Sequence, residues 1–199
     1  RNTVGRFVDQ ADANAHVATA LGRVLEQEKK YGEAEARLRK ATELSPRDPA
    51  SFVYLGETLL RQRKGAEADA AFTRAVELAQ AQGGGEAAYY LGDAQQRLRR
   101  FDEAVATLEG ASGPAPALVP YQIGVTRAFQ QSWSAAAEQL TRAIEMDSGL
   151  AYAYYYRGLA NDKLGRKDLL VNDLERFLTL APDAPEAEQA RAVLRAVKR

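Results

Sequence analysis

A Leu-Gly pair returns along this chain at Leu21-Gly22, Leu55-Gly56 and Leu91-Gly92, with Ile123-Gly124 and Arg157-Gly158 as variants. The glycines stand 34, 36, 32 and 34 residues apart. No other feature narrows the fold as far, because a period of this length is one supersecondary unit repeated. Twelve residues after each glycine come Ala34, Ala68, Ala104 and Ala136, with Leu170 as the exception. Sixteen after come Leu38, Phe72, Leu108, Leu140 and Leu174; nineteen after come Ala41, Ala75, Ala111, Ala143 and Phe177. Pro46, Pro116 and Pro182 stand twenty-four after three of the five.

Helix geometry accounts for the spacing. Residues four and one before the glycine and three after it fall on one helical face. Ala18, Leu21, Gly22 and Leu25 make that stripe in the first unit; Phe52, Leu55, Gly56 and Leu59 make it in the second. Small residues at the crossing let two helices approach, and proline stops the second helix. One helix pair cannot bury its stripe alone, so neighbours must stack.

The pattern resembles the tetratricopeptide repeat. That resemblance implies an all-α fold, an α-solenoid in which helix-turn-helix units wind into a right-handed superhelix. Five repeats are expected at 15–48, 49–82, 85–116, 117–150 and 151–184. The aromatic residue usual three after the glycine is replaced by Leu25, Leu59, Gln95, Arg127 and Asn161. Leu170 and Phe177 replace small alanines, which predicts wider helix packing in the last repeat. The segment 6–12 echoes 176–182, so 1–14 reads as the remnant second helix of an upstream repeat. The stretch 185–199 reads as a C-terminal capping helix, with Ala187, Ala190, Leu194 and Val197 on one face. Gly83-Gly84-Gly85 and the run around Gly110 and Ser112-Gly113-Pro114 make the third repeat the loosest joint. Tyr31, Phe101 and Trp133 share one offset from the glycine and read as plugs at the inter-helix turns.

Chemistry has little to work with. There is one histidine, His16, and no cysteine, so neither a His/Cys zinc site nor thiol catalysis is available. The glycine triplet lacks the lysine and Ser/Thr of a phosphate loop. Glu57 and Asp93 follow successive repeat glycines, but an open channel offers an acid/base pair no closed pocket. No enzyme, metal or cofactor is expected. Lys plus Arg equals Asp plus Glu at 27 each, which argues against sequence-independent nucleic-acid binding. Nothing in the order of the residues shows a basic patch. No apolar run is long enough for membrane insertion, and no signal peptide is seen. Arg1 at the start reads as a fragment or processed chain; a cytoplasmic location is expected, with a periplasmic or envelope-attached one as the alternative.

The resemblance also implies a concave groove lined by the first helix of each repeat. Its stripe takes residues six and three before the glycine and one and four after. In order this gives His16, Thr19, Arg23, Glu26; Ala50, Val53, Glu57, Leu60; Glu86, Tyr89, Asp93, Gln96; Leu118, Tyr121, Val125, Ala128; and Tyr152, Tyr155, Leu159, Asp162. The candidate partner-binding residues are Arg23, Glu57, Tyr89, Asp93, Leu118, Tyr121, Val125, Tyr152, Tyr155 and Leu159. The C-terminal half should expose an aromatic stripe suited to an amphipathic helix or extended peptide of a partner protein. The alternative is that the end helix covers it. The lysine and asparagine clamp with which some relatives hold chaperone tails is absent, those positions holding Thr19, Arg23, Val53, Tyr54, Glu57, Glu86 and Tyr90. The expected function is a protein-binding adaptor. The alternative is a self-associating scaffold: the alanine- and arginine-rich composition resembles that of GC-rich bacteria, and the family resemblance then implies, for example, bacterial motility, secretion or envelope machinery.

Overall fold

A computed structural model describes residues 13–197. Among these residues it is all-α. The helices are α1 (Ala15–Gln27), α2 (Tyr31–Leu44), α3 (Pro49–Arg61), α4 (Gly65–Gln82), α5 (Gly85–Arg97), α6 (Phe101–Glu109), α7 (Leu118–Phe129), α8 (Trp133–Met146), α9 (Ala151–Lys163), α10 (Lys167–Leu180) and α11 (Ala187–Val197). The upstream helix remnant expected at 1–14 lies almost wholly outside the described residues. The chain divides into two compact units, Arg1–Arg100 and Phe101–Arg199. The division falls inside the expected third repeat, between its two glycine-rich segments. In the first unit α1 packs on α2, α3 on α4, and successive pairs on each other. The second unit repeats this with α7 on α8 and α9 on α10, flanked by α6 and α11.

The recurring glycines are where paired helices cross. A Cβ built at Gly22, Gly56 or Gly124 would lie 2.6 Å from Leu38, Phe72 or Leu140 respectively. Each contact joins a glycine to the large apolar residue sixteen positions on. At Gly158 the nearest atom is Asp173 Cβ at 3.3 Å, so this crossing is more open, as Leu170 and Phe177 in place of alanine predict. The alanine, large apolar and alanine positions of the second helices are sealed: Ala34, Leu38, Ala41, Ala68, Phe72, Ala75, Ala136, Leu140 and Ala143 are all fully buried.

The turn within each pair is built the same way five times. Lys29, Arg63, Arg99, Gln131 and Gly165 stand seven residues after the repeat glycine, and all have positive φ, from 60° to 74°. The next amide bonds back to the first helix: Lys30 N–H to Leu25 O at 2.8 Å, Lys64 to Leu59 at 2.9 Å, Arg100 to Gln95 at 2.8 Å, Ser132 to Arg127 at 2.9 Å and Arg166 to Asn161 at 2.9 Å. This left-handed cap satisfies the last carbonyls of the helix, and glycine is its preferred residue. Helix starts are held by Asn14, which accepts from the amides of His16 and Val17, and by Asp48, which accepts from those of Ala50 and Ser51. Gly83 and Gly84 also take positive φ, so α4 ends where only glycine is comfortable.

The end helix lays Ala187 and Ala190 inward, and Val193, Leu194 and Val197 pack partly buried around Phe177 and Leu174. Residues 198–199 of the expected capping helix lie outside the described residues.

Candidate functional site

The first helices do not expose the stripe that the spacing predicts. Of the ten candidate residues, Tyr89, Asp93, Val125 and Tyr155 are buried, at 8%, 7%, 4% and 7% exposure. Glu57, Leu118, Tyr121, Tyr152 and Leu159 are half-buried, and only Arg23 is exposed. The cause is packing between first helices. Within each unit a first helix touches the next first helix (α1 with α3, α3 with α5, α7 with α9), and this takes up much of the position three before the glycine. Thr19 there bonds Ser51 of the next helix at 3.0 Å, and Val53 is fully buried.

The aromatic half is therefore not the open face expected of it. The Tyr155 ring lies 5.0 Å from Phe177 and 5.4 Å from Tyr156, and Tyr152 lies 5.5 Å from Phe177. The Tyr152 hydroxyl donates to Glu186 at 2.6 Å, tying it to the segment that leads into α11. These tyrosines seal the end of the second unit. Among the described residues that unit exposes Met146, Leu169 and Phe129, the last half out in solvent and stacked parallel on Phe101 at 5.9 Å.

In the first unit a cleft of about 380 Å³ opens between the starts of α1, α3 and α5. Its walls carry His16, Thr19, Arg23, Tyr54, Glu86 and Tyr90. The Arg23 guanidinium sits 4.6 Å over the Tyr54 ring, and Tyr54 meets Tyr90 edge-on at 6.3 Å. Burial pushes the hydroxyl pKa of both Tyr54 and Tyr90 up, so they stay neutral donors and acceptors. Spacing from the repeat glycine missed this pair as groove residues. The signal was present: tyrosine stands two before the glycine at Tyr54, Tyr90 and Tyr156.

Beyond the cleft Glu57 and Asp93 share one cation. Arg97 bonds Glu57 and also Asp93, the latter at 3.3 Å, while Arg61 approaches Glu26 at 3.8 Å. Burial, against the pull of Arg97 and with the push of Asp93 and Glu26, raises Glu57 to about 7. Glu35, in contrast, accepts from Lys64 at 2.6 Å, Arg39 and Gln62, which hold it down at about 2 despite its burial. The two carboxylates give stability opposite pH slopes. Glu57, raised in the fold, contributes stability below about 4.5 that is lost as pH rises through about 7. Glu35, depressed in the fold, contributes stability above about 4.5 that is lost as pH falls toward about 2. Thermal midpoints read across pH should show Glu57→Gln flattening the neutral limb and Glu35→Gln flattening the acid limb. Glu35→Gln should cost about 1–2 kcal/mol at neutral pH, its partners being partly screened by water.

A second cleft, about 630 Å³, lies between α8 and α10 of the second unit. Its floor is Arg157, Asn161 and Asp173, which bond one another. Among the described residues no group of three acidic or histidine side chains is placed to hold a metal ion, and no helix is long and apolar enough to cross a membrane.

A family model described as the tetratricopeptide repeat matches residues 19–82 and 55–118, windows that together run through half of the chain. No curated protein matches the sequence. Among solved structures, TTC0263, a thermophilic protein of this repeat class from Thermus thermophilus, is 18% identical, with 93% of this chain and 99% of that one covered and a TM-score of 0.70. PilW, a type IV pilus biogenesis factor, is 17% identical over 98% of this chain and 94% of its own, with a TM-score of 0.63. YrrB, which has an unusual peptide-binding site, is 20% identical over 96% and 98%, with a TM-score of 0.52. Identities this low speak for the fold alone.

Proposed function

Because the chain belongs to the tetratricopeptide-repeat family, we propose that it is a non-catalytic adaptor that holds a segment of a partner protein against its first helices. The fold supports protein binding as the general role. The finer reading rests on one observation, the cleft of the first unit in which Arg23, Tyr54 and Tyr90 stand ordered against one another. Tyrosine offers a large apolar body and a polar tip with little rotamer freedom to lose, and arginine stacked on it is already oriented. The adaptor reading of the sequence is kept, with its centre moved from the aromatic C-terminal half to this cleft. The half-exposed Leu118 and Tyr121 give the second unit a smaller share of the same role.

The test begins with the partner that co-purifies with the full-length protein. Tyr54→Ala combined with Tyr90→Ala should weaken its affinity by about 2 kcal/mol or more by calorimetry, if the pair is a hot spot. Circular dichroism must show the variant still helical. Undiminished affinity in such a folded variant removes the cleft from consideration.

A further inference from the structure

The last repeat changes the groove that runs between second helices. Between α6 and α8 that groove is a cleft of about 320 Å³ with Ile123 of α7 at its floor. Between α8 and α10 the floor is Arg157 and Asn161 of α9, and the cleft enlarges to about 630 Å³. Together with Asp173 of α10 these residues stand one before, three after and fifteen after the repeat glycine. The same three positions of the second repeat hold Leu55, Leu59 and Ala71, all buried. A buried ion pair adds little stability over a well-packed apolar set, so the exchange points to another use for these side chains.

Bonding within the floor leaves donors over. A guanidinium has five N–H groups. Arg157 places Nε at 3.0 Å and Nη2 at 2.6 Å on Asp173, and Nη1 at 3.1 Å on Thr141, with the Tyr154 ring 5.5 Å away. Two N–H groups remain, on a side chain that is 21% exposed and lines the cleft. The Asp173 carboxylate, in contrast, is taken: Arg157 and Asn161 between them occupy both its oxygens. The floor therefore offers hydrogens and asks for an oxygen.

The charges decide what kind of oxygen. Arg142, Arg157 and Arg166 are matched among the lining residues by Glu138, Glu145 and Asp173, so the cleft is neutral as a whole. A carboxylate seated on Arg157 would lie beside Asp173 and below the two glutamates of α8. An ammonium group would meet the Arg157 guanidinium. A carboxamide suits both levels, its carbonyl accepting from Arg157 and its amide hydrogens turned to the exposed Glu138 or Glu145. Ala137 and Leu169 line the same cleft and give its methylenes an apolar wall.

We propose that the cleft between α8 and α10 binds the side-chain amide of a glutamine carried on a partner's polypeptide, a second docking site separate from the cleft of the first unit. At about 630 Å³ it has room for the amide and for the backbone on either side of it.

The test is an NMR titration of the isotope-labelled full chain with the N-acetyl, N-methylamide forms of glutamine, glutamate and lysine, read from the amide signals of Leu169 and Asn172. Capped glutamine should shift these signals saturably, with a midpoint on the order of 1 mM. Capped glutamate and capped lysine should bind about tenfold more weakly or worse. Arg157→Lys keeps the charge beside Asp173 but loses the planar fork, and should weaken the glutamine midpoint about tenfold. Arg157→Leu combined with Asn161→Leu and Asp173→Ala should abolish the saturable shift while the circular dichroism stays helical. Equal affinity for capped glutamate or capped lysine overturns the proposal, as does full retention by the folded Arg157→Lys variant. A response to free glutamine with none to the capped residue overturns it too, as does a response to none of the probes.

Discussion

Asp173→Ala should destabilise the protein by about 3 kcal/mol, read from the urea midpoint. The repeat places an apolar residue just before its glycine, as Leu21, Leu55, Leu91 and Ile123 show, but the last repeat has Arg157 there and Asn161 four positions later. Both turn to one carboxylate. Arg157 donates to Asp173 through Nη2 at 2.6 Å and Nε at 3.0 Å, Asn161 donates at 3.1 Å, and Arg157 also reaches Thr141 at 3.1 Å. The Asp173 side chain is only 5% exposed and that of Arg157 21%. Removing the carboxylate leaves a half-buried guanidinium and a buried amide without their acceptor, which costs more than the pair gained on forming. Adding Arg157→Leu and Asn161→Leu restores the apolar stripe, and that triple variant should return to within about 1 kcal/mol of the parent or exceed it. A near-silent Asp173→Ala would mean that water screens the pair and that the polar floor is incidental.

Phe72→Ala should cost about 3–5 kcal/mol, because the ring is fully buried and its loss leaves a cavity in the core. The ring covers Gly56, where an added Cβ would meet three of its carbons at 2.6 to 2.9 Å. Gly56→Ala alone should therefore cost about 1–3 kcal/mol through overpacking, even though alanine is the better helix former. In the double variant the new methyl no longer clashes and fills part of the cavity. Its loss should be smaller than the sum of the two single losses, a coupling of about 1 kcal/mol or more. Gly158→Ala is the control: its nearest neighbour, Asp173 Cβ, is at 3.3 Å, a tight contact that offsets the gain in helix propensity, so the variant should stay within about 1 kcal/mol of the parent and cost clearly less than Gly56→Ala. Equal losses at Gly56 and Gly158 would show that the glycines serve something other than close helix approach.

The period of the Leu-Gly pair was enough to determine the all-α class and the family, and Leu170 and Phe177 in place of alanine pointed to the looser last crossing. These are properties of one helix pair, and one helix pair is written in contiguous residues at helical spacing. The Tyr155 and Tyr152 face could not be read this way. Whether it stays open depends on α11 and Glu186, some thirty residues later, arriving to cover it. Val53 and Tyr89 were placed in a groove because a helical wheel sees two sides of a helix; in the stack a first helix is gripped by its own partner and also by its neighbours. Arg23, Tyr54 and Tyr90 face one cleft from three different helices. The left-handed turn residues Lys29, Arg63, Arg99 and Gln131 carry no sign of that backbone in their own side chains, unlike Gly165 at the matching turn. Local spacing thus decided what each pair of helices is. Which of its faces meets water was settled by the stacking of pairs, since burial is a property of all the chain's neighbours at once.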